Sequence, residues 1–282
     1  MARFDPAWLD EQYNNRARVP EHPQIFERWD KASALAREGL SRRLDVAYGD
    51  GPNETLDIFP AARANAPVLV FIHGGWWRAL DKRDQSFIAP SLVHAGAMVV
   101  LPNYALCPAV SIETITLQIV RALAWTHRNA ALYGGNPQRI VVAGHSAGAH
   151  LAAMMLCCDW KAVGSDLPAQ LVKAALAISG VFDLEPLRHT PFLQGDLRLT
   201  PAAVRKLSPA SFAPPKGVLH AAVGADESAE FLRQNTLIQQ AWGRKTVPVC
   251  ETVPDANHFE VLHELADPSA RLHAMARRLL GL

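Results

Sequence analysis

Short runs of consecutive apolar residues alternate along this chain with longer stretches in which apolar residues recur every three or four positions. The short runs lie at Leu44 to Tyr48, Glu54 to Phe59, Val68 to His73, Ala97 to Asn103, Arg139 to Gly144, Leu171 to Ser179, Gly217 to Val223 and Val247 to Val253. They read as eight β-strands. Helical stripes fill most of the gaps between them. After Ser111, residues Ile112, Ile115, Ile119, Ala122, Leu123 and Thr126 share one helical face, and Gly134-Gly135 supply the stop. Leu151, Met154, Met155 and Cys158 repeat that stripe. The middle strands are apolar throughout rather than alternating, so both faces of their sheet must be covered, as in a parallel sheet built from right-handed βαβ units. The expected class is α/β: a mostly parallel, twisted sheet of about eight strands with helices on both faces.

With 282 residues and no repeat or Gly/Ser linker, the chain reads as one large domain from 44 to 282 preceded by an N-terminal segment. Residues 1–43 are rich in charge, with a helix expected from Asp30 to Leu40 that packs on the domain edge or cap. No chemistry is read there. Residues 183–212 carry Pro186, Pro191, Pro201 and Pro209 with little strand character, which predicts a cap excursion. A net charge of +1 gives no electrostatic footprint for nucleic acid or anionic membranes. The expected partner is a small neutral or zwitterionic molecule, and a homodimer is the assembly open to the chain. No apolar run approaches a membrane span, and the first residues lack a signal-peptide core. The expected address is cytoplasmic. Cys107, Cys157, Cys158 and Cys250 show no metal-ligand spacing, so neither a disulfide framework nor a metal site is expected.

Gly144-His145-Ser146-Ala147-Gly148 follows a strand-like run and opens a helical pattern from Ala147 to Cys158. Strand, tight turn and helix form the setting of a nucleophile elbow, in which small flanking residues permit a strained turn that lifts a serine hydroxyl above the sheet. Such a hydroxyl needs a base and an orienting acid. In α/β-hydrolases these follow the serine in the order acid, then histidine, each at the carboxyl end of a strand. Among eleven histidines, His258 fits, because it follows the last strand and precedes an apolar helix. Asp226 leads for the acid, since Val223-Gly224-Ala225-Asp226 ends the preceding strand. Asp183 is the rival one strand earlier, and Asp255 reads as a turn residue. His73-Gly74-Gly75-Trp76-Trp77 ends the strand Val68 to Ile72. The amides of Gly74 and Gly75, with that of Ala147, are expected to form an oxyanion hole. His73 reads as a structural hydrogen-bonding residue, and Trp76 and Trp77 as an aromatic wall that limits acyl size or stacks on an aryl substrate.

These blocks resemble the kynurenine formamidase (arylformamidase) family of α/β-hydrolases, related to the hormone-sensitive-lipase-like esterases. His73 to Trp77 is similar to that family's HGGYW with Trp76 in place of tyrosine. Gly144 to Met154 reads GHSAGAHLAAM, Ser179 to Pro186 reads SGVFDLEP, and Glu230 to Gln234 and Asn257-His258-Phe259 continue the likeness. The resemblance covers roughly residues 70–262. It implies hydrolysis of N-formyl-kynurenine through a formyl-serine, with Ser146, Asp226 and His258 catalytic and no metal or organic cofactor. A formyl group needs almost no acyl pocket, so the tryptophans are expected to exclude long acyl chains. The amino-acid end of the substrate would need charged partners, for which Arg78, Lys82, Glu230 and Arg233 are candidates, each better read as solvated surface charge. A short-chain carboxylesterase acting on small or aryl esters shares every catalytic residue and is the alternative. A catalytically dead, ligand-binding hydrolase fold is disfavoured because no triad member is missing. A dehydrogenase is disfavoured because the glycines around Ser146 lack the G-x-G-x-x-G phosphate loop.

Overall fold

In the computed structural model, residues 4–282 are described. All eight expected strands form, as β1 (Arg43–Ala47), β2 (Thr55–Phe59), β3 (Ala66–Ile72), β4 (Met98–Pro102), β5 (Gly135–His145), β6 (Ala174–Ile178), β7 (Val218–Gly224) and β8 (Val249–Val253). One sheet holds them in the order β1-β2-β4-β3-β5-β6-β7-β8. The β1–β2 and β2–β4 pairs are antiparallel, and every pair from β4 to β8 is parallel.

The helices are α1 (Pro6–Tyr13), α2 (Asn15–Arg18), α3 (His22–Gly39), α4 (Ala89–His94), α5 (Ile112–Asn129), α6 (Ala147–Leu156), α7 (Trp160–Val163), α8 (Glu185–Arg188), α9 (Pro191–Leu197), α10 (Pro201–Leu207), α11 (Ala229–Thr246), α12 (His263–Ala266) and α13 (Arg271–Leu280). Alternate residues of each central strand serve opposite cores, because successive side chains leave a strand on opposite faces. Val68, Val70 and Ile72 pack with Ile115, Ile119, Leu151 and Phe231 from α5, α6 and α11. Leu69 and Phe71 pack with Ile25, Trp29, Leu92, Leu265 and Leu272 from α3, α4, α12 and α13. This two-sided burial is why the strands read as unbroken apolar runs.

Two elements differ from the sequence expectation. The helix expected from Asp30 begins at His22, with Pro23 in its first turn, where the missing N–H of proline costs nothing. Its buried stripe of Ile25, Trp29, Ser33 and Ala36 has one apolar residue per turn, too sparse to mark the N-terminal half. The other is the expected α5 stop, which passes through a 3-10 turn, Ala130–Tyr133, before Gly134 closes it at φ 83°. Residues 183–212 contain α8, α9 and α10, and α1 packs against both α9 and α11. Helix α1 is tied down at both of those contacts: Phe192 N–H donates to Asp10 Oδ1 at 3.2 Å, and Tyr13 Oη–H donates to Glu230 Oε2 at 2.6 Å. The N-terminal segment therefore stands beside the carboxyl ends of the central strands, where ligands bind in open α/β sheets. Among the described residues, no helix is long and apolar enough to cross a membrane.

Candidate active site

Ser146 sits between β5 and α6 at φ 57°, ψ −119°, a conformation sparsely populated by non-glycine residues. Three contacts hold it there. Its own N–H donates to Ile178 O on β6 at 2.8 Å. A Cβ on Gly144 would lie 2.2 Å from Gly148 O, and one on Gly148 would lie 2.0 Å from Ile72 O. Both flanking glycines are thus required by backbone packed on backbone, which explains the G-x-S-x-G spacing.

His258 Nε2 lies 3.1 Å from Ser146 Oγ. On the other side of the ring, Nδ1–H donates to Glu227 Oε2 at 2.6 Å. The acid beside this histidine is therefore Glu227 and not Asp226. The chain makes a tight turn after β7: Glu227 N–H returns to Gly224 O, and Ser228 caps α11. Within that turn adjacent side chains diverge, so Asp226 projects to solvent while Glu227 is buried. Its second oxygen accepts from Ser179 Oγ at 2.5 Å and from Gly224 N–H at 2.8 Å. Three donors satisfy a carboxylate removed from water, which is what keeps a buried charge tolerable. The rivals lie elsewhere. Asp183 accepts from Glu185 N–H and lies 3.8 Å from the Arg233 guanidinium, and Asp255 occupies a turn at φ 52°. No sequence signal separates Asp226 from Glu227, since both follow the same strand. Only the course of the turn does.

The imidazole plane is fixed by its neighbours. Phe231 packs on it with centroids 4.5 Å apart, and His145 stands 4.8 Å away with Nε2–H donating to His258 O at 2.7 Å. Burial, and next the charge that His258 can acquire, push the His145 pKa well below the usual histidine range. It stays neutral and acts as a donor.

The His73-Gly74-Gly75 loop lies across from the serine. A Cβ on Gly74 would stand 3.0 Å from Ser146 Cβ, and Gly75 has φ 97° with Ala79 O 2.1 Å from where its Cβ would be. Ala147 N–H opens α6 and so lies outside the intrahelical ladder. Beneath the loop, His73 stacks on Tyr104 at 4.2 Å, with Nδ1 2.9 Å from Gly74 O and Nε2 3.1 Å from Asn103 Oδ1. Burial lowers its pKa, and its role is structural. Trp76 and Trp77 part company. Trp76 lines the cavity in front of Ser146, braced by Tyr13, Phe192 and Phe231. Trp77 is fully buried, edge-on to His150 at 5.0 Å, with its carbonyl accepting from Cys107 N–H. The expected wall is therefore one tryptophan: Trp77, 6.1 Å from the Trp76 ring, packs behind it in the core and does not reach the cavity.

The cavity measures about 300 Å³ and is walled by Trp76, Phe26, Phe192 and Phe259, with Ser146 and His258 at its base. That volume suits a small ligand. Of the expected charged candidates, Arg78 reaches this cavity, ion-paired to Asp196 and donating to Phe192 O at 2.9 Å. Lys82 instead is buried and bridges the exposed Asp45 to the buried Asp57, and Arg233 forks onto Glu230, whose Oε2 also receives Tyr13. These are structural pairs. Asn14, Asn15 and Arg16 of the N-terminal segment also line the cavity. Sequence reasoning missed them because three polar residues where one short helix gives way to another carry no motif.

Comparison with known proteins agrees with this architecture. The family model BD-FAE matches residues 56–200. Kynurenine formamidase of Salmo salar is 30% identical over 256 residues, which cover 86% of this chain and 84% of that protein. Esterase LipQ of Mycobacterium tuberculosis is 32% identical, over 79% of this chain and 58% of the esterase. A crystal structure from Silicibacter, of a protein provisionally named a thioesterase, superposes with a TM-score of 0.83 at 32% identity, covering 94% of this chain and 97% of that one.

Proposed function

The chain belongs to the kynurenine formamidase family of α/β-hydrolases, related to the hormone-sensitive-lipase-like esterases, and from that premise we propose that it cleaves an aryl formamide, N-formyl-kynurenine, into kynurenine and formate. The observation that carries this reading is the continuous hydrogen-bonded line Ser146 Oγ, His258, Glu227 at the base of an aromatic cavity. Because Glu227 accepts from Nδ1–H and so keeps the proton on that nitrogen, the Nε2 lone pair is left facing the serine.

In the proposed reaction Ser146 Oγ attacks the formyl carbon as its proton passes to His258 Nε2. Negative charge moves to the formyl oxygen, where the N–H groups of Gly74, Gly75 and Ala147 meet it. Each such donor is typically worth about 10²- to 10³-fold in rate. Glu227 steadies the imidazolium. The C–N bond then breaks, His258 returns the proton to the departing aniline nitrogen, and a formyl ester remains on Ser146. Water, deprotonated by the same imidazole, adds to that ester and releases formate. The residues present complete this cycle without a cofactor. Cytoplasmic residence belongs to the same proposal, supported by four free cysteines.

A Ser146→Ala variant is expected to lose formamide turnover by about 10⁴-fold or more, measured by the absorbance of released kynurenine. Undiminished turnover would refute the mechanism. A second reading, a short-chain carboxylesterase, is favoured by the likeness to LipQ. Specificity constants for N-formyl-kynurenine beside acetyl and butyryl aryl esters separate the two. Negligible formamide hydrolysis with brisk ester hydrolysis would select the esterase.

A further inference from the structure

We propose that the junction of α1 and α2, Asn14 to Arg16, is the subsite for the charged end of the substrate, with Arg16 taking an α-carboxylate, and that this subsite selects aromatic amino-acid formamides over their decarboxylated counterparts. The proposal rests on the formamidase reading and names what recognises the substrate's polar end.

The ion pairs of the cavity lead there. Arg78 is committed to Asp196 and to Phe192 O. Arg16 pairs with no carboxylate among the described residues. Its guanidinium lies over the Phe26 ring, 5.6 Å from the centroid, at the rim of the cavity that holds Ser146. An arginine stacked on an aromatic face keeps its fork of N–H donors free and loses little further entropy on binding a carboxylate. Its neighbour Asn15 is a second, independent sign. That residue is 5% exposed, lines the same cavity, and its Nδ2 has no hydrogen-bond partner among the described residues. A buried amide donor without a partner is costly, and a carboxylate held by Arg16 would supply the acceptor.

The position of this junction is built rather than accidental. Asn14 ends α1 and caps α2, its Oδ1 accepting Ala17 N–H. Tyr13, one residue earlier, is anchored to Glu230 and packs edge-on to Trp76. Asp196 offers the complementary charge. It lines the cavity, and a carboxylate can accept from an ammonium while still paired with Arg78. With the aniline ring among Trp76, Phe26 and Phe192, a zwitterionic head then meets a cation and an anion on one rim.

The test compares N-formyl-kynurenine with its decarboxylated counterpart, the formamide of kynuramine. In Arg16→Gln, KM for N-formyl-kynurenine should rise about 10- to 100-fold, the worth of a charged hydrogen-bonded contact, with kcat changed little. The preference for the carboxylated substrate should collapse by the same factor, and Arg16→Lys should recover part of it. Equal effects on both substrates, or on neither, would overturn the subsite. Calorimetric titration with kynurenine and kynuramine keeps this separate from turnover. If the wild-type protein hydrolyses no aryl formamide yet binds kynurenine in an Arg16-dependent way, the subsite stands and the proposed reaction falls. If kynurenine and kynuramine bind alike, the subsite falls.

Discussion

Glu227 and Asp226 are adjacent carboxylates with opposite fates, and the contrast gives a sharp prediction for single residues. Glu227→Gln keeps the shape but offers His258 Nδ1 an amide in place of a carboxylate, so the imidazole loses its charge partner and its fixed tautomer. The expected loss in kcat is on the order of 10⁴-fold. Asp226→Asn, changing an exposed side chain, should stay within about twofold. The opposite ranking, read from steady-state rates with one aryl substrate, would reinstate Asp226. Trp76→Ala belongs to the same scale. It removes the indole from the cavity wall, and relative turnover of butyryl against acetyl aryl esters should increase. An unchanged ratio would show that Trp76 does not set acyl size.

At the scale of elements, the elbow works because α6 presses on β3 through Gly148. A methyl group there would meet Ile72 O at 2.0 Å and His73 O at 2.6 Å, and neither backbone carbonyl can move without shifting β3 or the His73-Gly74-Gly75 loop. Gly148→Ala is expected to cost at least about 2–3 kcal/mol of stability and to lower kcat in whatever protein still folds. Denaturant midpoints and rates on the purified variant check both. A second element-level finding is the N-terminal segment. Its chemistry was not legible, since Asn14, Asn15 and Arg16 belong to no periodic pattern, and only the docking of α1 on α9 and α11 brings them to the cavity.

At the scale of the whole molecule, five buried histidines among the described residues have pKa values lowered by desolvation: His73, His145, His150, His220 and His273. His150 is pushed down to about 4, its Nε2–H donating to Leu207 O at 2.6 Å and its ring packed on Trp77. An unfolded histidine binds a proton near pH 6.5, so between pH 6.5 and 4 the unfolded chain holds protons that the folded one refuses. Stability from these groups is complete above pH 6.5 and is lost as the pH falls toward 4. For His150 alone the loss should be about 2 kcal/mol at pH 5, with the others adding in the same direction. Urea midpoints at pH 7.5 and 5.0 measure it, and a His150→Gln variant should show a shallower fall. A stability that is flat across that interval would contradict the neutral burial of these rings.

Periodicity alone determined the eight strands, their mainly parallel sheet and the helices on both faces, because burial on two sides writes itself directly into the order of apolar residues. The elbow serine, its glycines and the histidine after the last strand were equally legible, since each is dictated by local backbone geometry or by chain order. What only the tertiary structure decided was direction. Which of two neighbouring acids turns inward, which of two neighbouring tryptophans faces the cavity, and whether a polar N-terminal segment reaches the site all depend on turns and docking contacts. Those are set by residues distant in the chain, such as Ser179, Phe192 and Glu230, and a local pattern holds no record of them.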